Sequence, residues 1–266
     1  MWISRYFIYF VIFSFLGWIY ETTFCTVKNG KWDNRGFLYG PIVPIYGVGG
    51  AALWGVGELM TKNLGGYTWW QIFLIGFFGS IVLEYFTSWA LEKLFHAYWW
   101  DYSHLPFNIK GRVCLPCSLG FGVAALLIVY VIGPVVTRVV DLIPPIGMEL
   151  VALLFMAAVA TDVTVTVSAL SNFARNIRAF ENAVNTHMDT FVASIQEKTQ
   201  AAGNLIAEEK ERFSGENLER VISAMGGMTH LALLRIQGFK NVKIERKTLE
   251  NALNAIRKHV PKKNKK

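Results

Sequence analysis

Five stretches of the chain stay apolar for longer than a soluble core element requires: residues 4–26, 37–60, 67–95, 115–136 and 143–173. A hydrocarbon core of roughly 30 Å takes about 20 residues of α-helix, so each stretch predicts a transmembrane helix. The third and fifth exceed that length and are expected to tilt or to project into water. Pro41 and Pro44 remove backbone donors from the first turns of the second, which predicts a broken or re-entrant start. Beyond Phe173 the pattern changes. Phe173, Ile177, Phe180, Val184, Phe191 and Ile195 recur at helical spacings, with Arg175, Arg178, Glu181 and Asp189 on other faces. An amphipathic helix therefore continues out of the last span. Gly215 and the pair Gly226 and Gly227 predict breaks, and a last amphipathic segment covers 249–260. The expected fold class is all-α: a polytopic membrane helical bundle of about five transmembrane helices with a C-terminal cytoplasmic amphipathic helical region. Residues 1–173 form the transmembrane domain and 174–266 a basic helical tail.

Composition agrees with lipid as the solvent. Hydrophobic residues make up 53% of the chain and the mean hydropathy is +0.35, with nine Trp and nineteen Phe. Charge divides the molecule: nine basic residues balance nine acidic ones up to Phe173, so the whole net charge of +7 sits on the tail. Placing the tail inside puts Lys28, Lys31, Arg35, Lys93, Lys110, Arg112, Arg175 and Arg178 in the cytoplasm and only Arg5, Lys62 and Arg138 outside. The positive-inside rule thus predicts a multi-pass protein of the cell membrane with its N-terminus outside and its C-terminus cytoplasmic. Trp69, Trp70, Trp99 and Trp100 stand where an interfacial aromatic belt is expected. The first apolar run lacks a basic n-region and a small-residue cleavage site, and reads as a retained span rather than a cleaved signal.

Several chemistries are not supported. Cys25, Cys114 and Cys117 give no secreted disulfide framework; the CLPC motif at 114–117 has no second CxxC or His pair to complete a metal site, and the five His residues lack ligand spacing. No metal or cofactor is expected. GxxxxGK[ST], the nucleophile elbow and HExxH are absent, so this chain does not itself hydrolyse ATP. The apolar periodicity of the tail favours helix packing, against a protein or an anionic lipid surface, over nucleic acid.

Ionisable groups at membrane depth are costly and are candidates for function. In the third span Gly76, Ser80, Glu84, Thr87 and Ser88 fall within an arc of about 120°, with Glu92 just beyond it. That face either admits a neighbouring helix or lines a polar cavity. Ser14, Gly17 and Glu21 share a face of the first span, and Glu21 is expected to pair with Arg35 or Arg112. Asp162, among Thr161, Thr164 and Thr166, either faces a pore or, the reading favoured by the pattern, marks the point where the fifth helix leaves the membrane.

Four ordered segments carry a resemblance: GWIYE at 17–21, NRGFLYGPIVPIYGVG at 34–49, LEYFTSWALEKLF at 83–95 and WWDYSHLPFNIKGRVCL at 99–115. Together they resemble the Putative ABC-transporter type IV family, also called CmpB-like, over residues 10–140. The resemblance implies a permease working with a separate ATPase subunit. Its motifs single out Glu21, Asn34, Arg35, Pro41, Pro44, Tyr46, Glu84, Glu92, Trp100, Asp101, Asn108, Gly111 and Arg112. Glu21, Asn34, Arg35, Tyr46, Glu84, Glu92, Asp101, Asn108 and Arg112 are the candidate lining of one polar chamber open to the cytoplasm. Within it Asn34 is expected to cap the second helix, and Arg35 and Arg112 to offer forks for a carboxylate or phosphate. Three functions stay open at this point: a transport component acting with an ATPase or as a homo-oligomer, a membrane-embedded enzyme on a lipid or lipid-linked substrate, and a non-catalytic scaffold recruiting a partner through its tail.

Overall fold

The structure, a computed structural model, describes residues 2–30, 34, 36–195, 232–233, 235–236 and 238–239. Arg35, the breaks at Gly215 and at Gly226 and Gly227, and the segment 249–260 lie outside the described residues. The helices are α1 (Trp2–Asn29), α2 (Pro44–Leu64), α3 (Trp69–Phe95), α4 (Leu115–Leu127), α5 (Gly133–Asp141) and α6 (Pro145–Ile195). One π turn at Ile128–Ile132 joins α4 to α5, with the Gly133 amide donating to the Ile128 carbonyl just before Pro134. The inserted residue absorbs the donor that proline removes and keeps Leu115–Asp141 one continuous rod. Four two-residue strands complete the described elements: β1 (Ala97–Tyr98), β2 (Asn108–Ile109), β3 (Val113–Cys114) and β4 (Gly238–Phe239).

Among the described residues four helices are long and apolar enough to cross a membrane: Trp2–Lys28, Trp69–Phe95, Leu115–Asp141 and Pro145–Phe173. Leu74, Phe78, Val82 and Phe86 on α3 and Ile146, Leu150, Leu153 and Leu154 on α6 are exposed on the outside of the bundle. A contiguous apolar surface of this kind is what lipid covers. This is a multi-pass membrane protein.

The remaining rod, α2, is rich in glycine and carries Glu58 and Lys62. It begins at Pro44 rather than near residue 37. Val43, held extended before proline, is its N-cap, and the Val43 amide donates to the Ser14 carbonyl of α1 at 3.0 Å. Residues 36–43 therefore precede the helix outside any helical turn, which is the broken start that the two prolines predict. Asn34 caps nothing here; its Oδ1 accepts from the Trp18 indole at 2.7 Å. The long fifth helix does continue past the membrane, as one α6 of 51 residues.

Small residues set the helix spacing. A Cβ on Gly17 would meet Tyr46, one on Gly47 would meet Ser14 and Phe10, and one on Gly50 would meet Phe13, so α1 and α2 touch almost backbone to backbone. Gly76 likewise lies against Ala125, and Gly122 against Phe73, at the contact of α3 with α4. Two clusters fill the interior. Ile8, Tyr9, Phe13, Val136, Val140 and Met148 pack α1 against α5 and α6, while Leu53, Ile72, Ala125 and Val129 join α2, α3 and α4.

Polar contacts form two layers. At one end Ser4 donates to Glu149 at 2.5 Å, Arg5 pairs with Asp141 at 2.9 Å, and Tyr6 donates to Glu58 at 2.7 Å. These join the start of α1 to the end of α2, the end of α5 and the start of α6. At the other end stand Glu21, Tyr46, Glu84 and Asp162. The rise of α1 from Arg5 to Glu21 is about 24 Å, close to the thickness of a hydrocarbon core.

Replacing Gly47 by Val should force α1 off α2 and lower the thermal stability of the detergent-purified protein, by an amount corresponding to about 1–3 kcal/mol. Gly79→Ala, at a position where a Cβ meets nothing, should leave it unchanged or raise it slightly. Equal effects of the two changes in a melting assay would contradict the packing described.

Candidate functional site

The layer at the Glu21 end gathers carboxylates from separate helices. Glu21 sits near the end of α1, and its Oε1 accepts from the Tyr46 hydroxyl, on the first turn of α2, at 3.0 Å. Glu84 faces inward from α3 on the small, polar stripe that also buries Ser88 and Glu92. It is only 5% exposed. The Tyr102 hydroxyl approaches Glu84 Oε1 at 3.4 Å. Glu84 Oε2 is buried and has no hydrogen-bond partner among the described residues. Glu21 and Glu84 are close enough for each charge to act on the other. Burial, with the Glu84 charge adding to it, holds the Tyr102 phenol well above its usual range, so it remains a donor at any physiological pH.

Tyr102 is positioned by the connection between α3 and α4. His96 ends α3 in the left-handed conformation, and its amide donates to the Glu92 carbonyl. The β2–β3 hairpin turns at Lys110 and Gly111, both with positive φ, as a type I′ turn requires. Asp101 accepts from the Ser103 amide at 2.9 Å, and Asn108 bonds the Ser103 and Leu105 carbonyls and the Gly111 amide. These two residues therefore shape the loop that carries Tyr102.

A second group lies further along α3. Arg112 pairs with Glu92 at 2.6 Å, with both side chains nearly buried, and its guanidinium lies 5.1 Å from the centre of the Tyr85 ring. Trp100 donates its indole N–H to the Arg112 carbonyl at 2.9 Å. Tyr85, Glu92 and Arg112, with Trp89, Lys93, His96 and Lys110, line a pocket of about 280 Å³ whose walls include neither Glu21 nor Glu84. Trp99 is buried among Phe37 and Phe95, so of the four expected belt tryptophans only Trp69 and Trp70 are well exposed.

Asp162 does more than mark a helix exit. Its two carboxylate oxygens accept the Tyr39 amide at 2.9 Å and the Gly40 amide at 2.7 Å, and Thr166 adds a hydroxyl at 3.2 Å. A Cβ on Gly40 would press on that carboxylate. Arg235, from the tail, donates to the Tyr39 carbonyl at 3.2 Å and lies over the Tyr39 ring. Burial lowers the Arg235 pKa, and the charges of Asp162 and Tyr39 work against that lowering. Beside it Leu233 and Ile236 are buried, and β4 pairs antiparallel with β1. Part of the tail thus folds back onto the membrane domain, with Ala232 and Leu233 helical and Gly238–Phe239 in a strand.

The model of the family described as Putative ABC-transporter type IV matches residues 8–167, more than half of the chain. The chain belongs to this family. The match runs past residue 140 and takes in Asp162, whereas Arg235 and β4 lie beyond it. Comparison with curated proteins and with solved structures gives no match.

Of the residues expected at one chamber, the structure brings Glu21, Tyr46 and Glu84 into one layer. It places Arg112 with Glu92 in the neighbouring pocket, Asp101 and Asn108 inside the supporting loop, and Asn34 against Trp18. Arg112 is therefore not the partner of Glu21. Tyr102, Tyr39 and Arg235 had not been singled out. WWDYS marks Tyr102 only as a loop aromatic, and nothing in the local sequence links Arg235 to a loop 196 residues earlier.

Removing one member of the buried Arg112–Glu92 pair should be far worse than removing both. Glu92→Ala strands a buried cation, with an expected loss of about 3–5 kcal/mol, while the double change Glu92→Leu with Arg112→Met should recover most of it. Thermal unfolding of the three proteins checks this.

Proposed function

We propose that the chain is the membrane-embedded component of an ABC-type transport system, with its N-terminus outside and its C-terminus in the cytoplasm. Glu21, Tyr46, Glu84 and Tyr102 line the solute path at its cytoplasmic end. ATP hydrolysis then belongs to a separate subunit, since this chain has no phosphate-binding loop. Family membership supports the transport reading, and one observation carries the assignment of the path. Glu84 is a buried carboxylate in a membrane-spanning helix, and one of its oxygens has no hydrogen-bond partner among the described residues.

A carboxylate kept only for packing would have both oxygens satisfied, because each unmet polar atom costs about 1–3 kcal/mol. The arrangement suits a solute with a cationic or amine group. Such a group would offset the charge of Glu84 directly, while Glu21 and the two tyrosine hydroxyls contribute further acceptors and donors.

Affinity purification of the full-length chain from its native membranes should bring with it a protein carrying a phosphate-binding loop. Glu84→Gln keeps the shape but removes a charge-assisted contact worth about 1.5–3 kcal/mol, so solute flux should fall roughly tenfold or more. Membrane content and melting temperature should not change. The reading fails if no ATPase co-purifies and cells carrying Glu84→Gln or Glu21→Gln match wild type in solute content.

A further inference from the structure

The pocket around Arg112 remains outside that reading, and its composition is unusual for a cavity that only separates elements. Its walls hold three cations besides an imidazole: Lys93, Lys110 and Arg112, with His96. Glu92 is the single carboxylate among them, and it faces Arg112. Lys93 and Lys110 are exposed and have no ion-pair partner among the described residues. The Nε–H of Arg112 is buried and makes no hydrogen bond among the described residues, which leaves a donor in the wall. Subtracting Glu92 leaves about two uncompensated positive charges around 280 Å³. The C-terminal end of α3 opposes an anion with roughly half a charge, so the lysines outweigh it.

Position narrows the ligand. Glu92 lies eight residues, about 12 Å, beyond Glu84 along α3, just past the layer that ends the hydrocarbon slab. That is headgroup depth. Phe78, Val82 and Trp89 are all exposed, and their spacing of four and seven residues puts them on one stripe of α3. Tyr85 falls on the same stripe, and Tyr85 and Trp89 are also walls of the pocket. An apolar track at acyl-chain depth therefore leads straight into a cationic pocket at phosphate depth.

We propose that this pocket binds the phosphate of an anionic phospholipid, with Lys93, Lys110 and the Arg112 guanidinium around the phosphate oxygens and an acyl chain along Phe78, Val82 and Trp89. The site is separate from the Glu21 and Glu84 layer and does not depend on the transport reading. Basic pockets beside membrane helices recognise headgroups by this combination of charge and donors. The phosphate could also arrive as a free ion, which shares the charge but gains nothing from the apolar track.

The test uses the full-length protein in detergent, with binding of phosphatidylglycerol and phosphatidylcholine counted by native mass spectrometry. Wild type should retain phosphatidylglycerol over phosphatidylcholine, and millimolar inorganic phosphate should not displace it. Lys93→Gln with Lys110→Gln, both exposed positions, should weaken phosphatidylglycerol binding at least tenfold. Lys262→Gln with Lys263→Gln removes the same charge from the tail and should not. Equal loss in both double variants, or no loss in the first, would overturn the pocket. Displacement by inorganic phosphate with no preference for the lipid would overturn the lipid as its ligand.

Discussion

Close contact at glycine positions sets where the polar groups between α1 and α2 and beside α3 and α4 come to rest. Between helices in lipid there is no hydrophobic gain from association, so helices stay together where their backbones can approach. Gly17, Gly47 and Gly50 allow α1 and α2 that approach, and Gly76 and Gly122 allow it for α3 and α4. Once those pairs are set, Tyr46 must stand beside Glu21, and Glu84 must meet the loop that follows α3. A bulkier contact would separate the partners by more than a hydrogen bond can span. The carboxylates would then be left in hydrocarbon, where a charge without a partner is very costly.

The same constraint explains the two polar layers. Ser4, Arg5 and Tyr6 bind the helix ends on one side, where water and headgroups tolerate their charges. About 24 Å away along α1 the second layer begins, and beyond it the chain changes character. Loops there are held by side chains reaching backbone: Asp162 holds 39–40, Asn108 holds the hairpin, and Trp100 holds Arg112. Arg235 and β4 add a clamp from the tail to the two loops that border this layer.

What was readable in the sequence follows physical range. Apolar runs report the solvent around a helix, so α1, α3, the rod ending at Asp141 and the exit of α6 were all legible within a few residues. The stripe of Gly76, Ser80, Glu84 and Ser88 was legible too, because helical period converts spacing into direction. The start of α2 was only half legible: the prolines signalled a break, but the length of the non-helical piece before it depends on Val43 reaching Ser14 and on Asp162 taking two amides. Backbone amides leave no mark in a sequence, so the hold of Asp162 on residues 39 and 40 was not legible. Arg112 reads from the sequence as a group for a carboxylate or phosphate, and the carboxylate it pairs with is Glu92 rather than Glu21, a choice made by tertiary placement alone. Tyr102 and Arg235 depend on long-range contacts that no periodicity announces.

A high-resolution map of the protein in a lipid nanodisc decides whether Glu21 and Glu84 face one shared polar space at one end of the bundle. Ordered density, from water or a bound solute, is expected within hydrogen-bonding distance of Glu84 Oε2 and bordered by Glu21, Tyr46 and Tyr102. A map in which apolar side chains fill that space, or in which Glu84 turns to the lipid face, would contradict it.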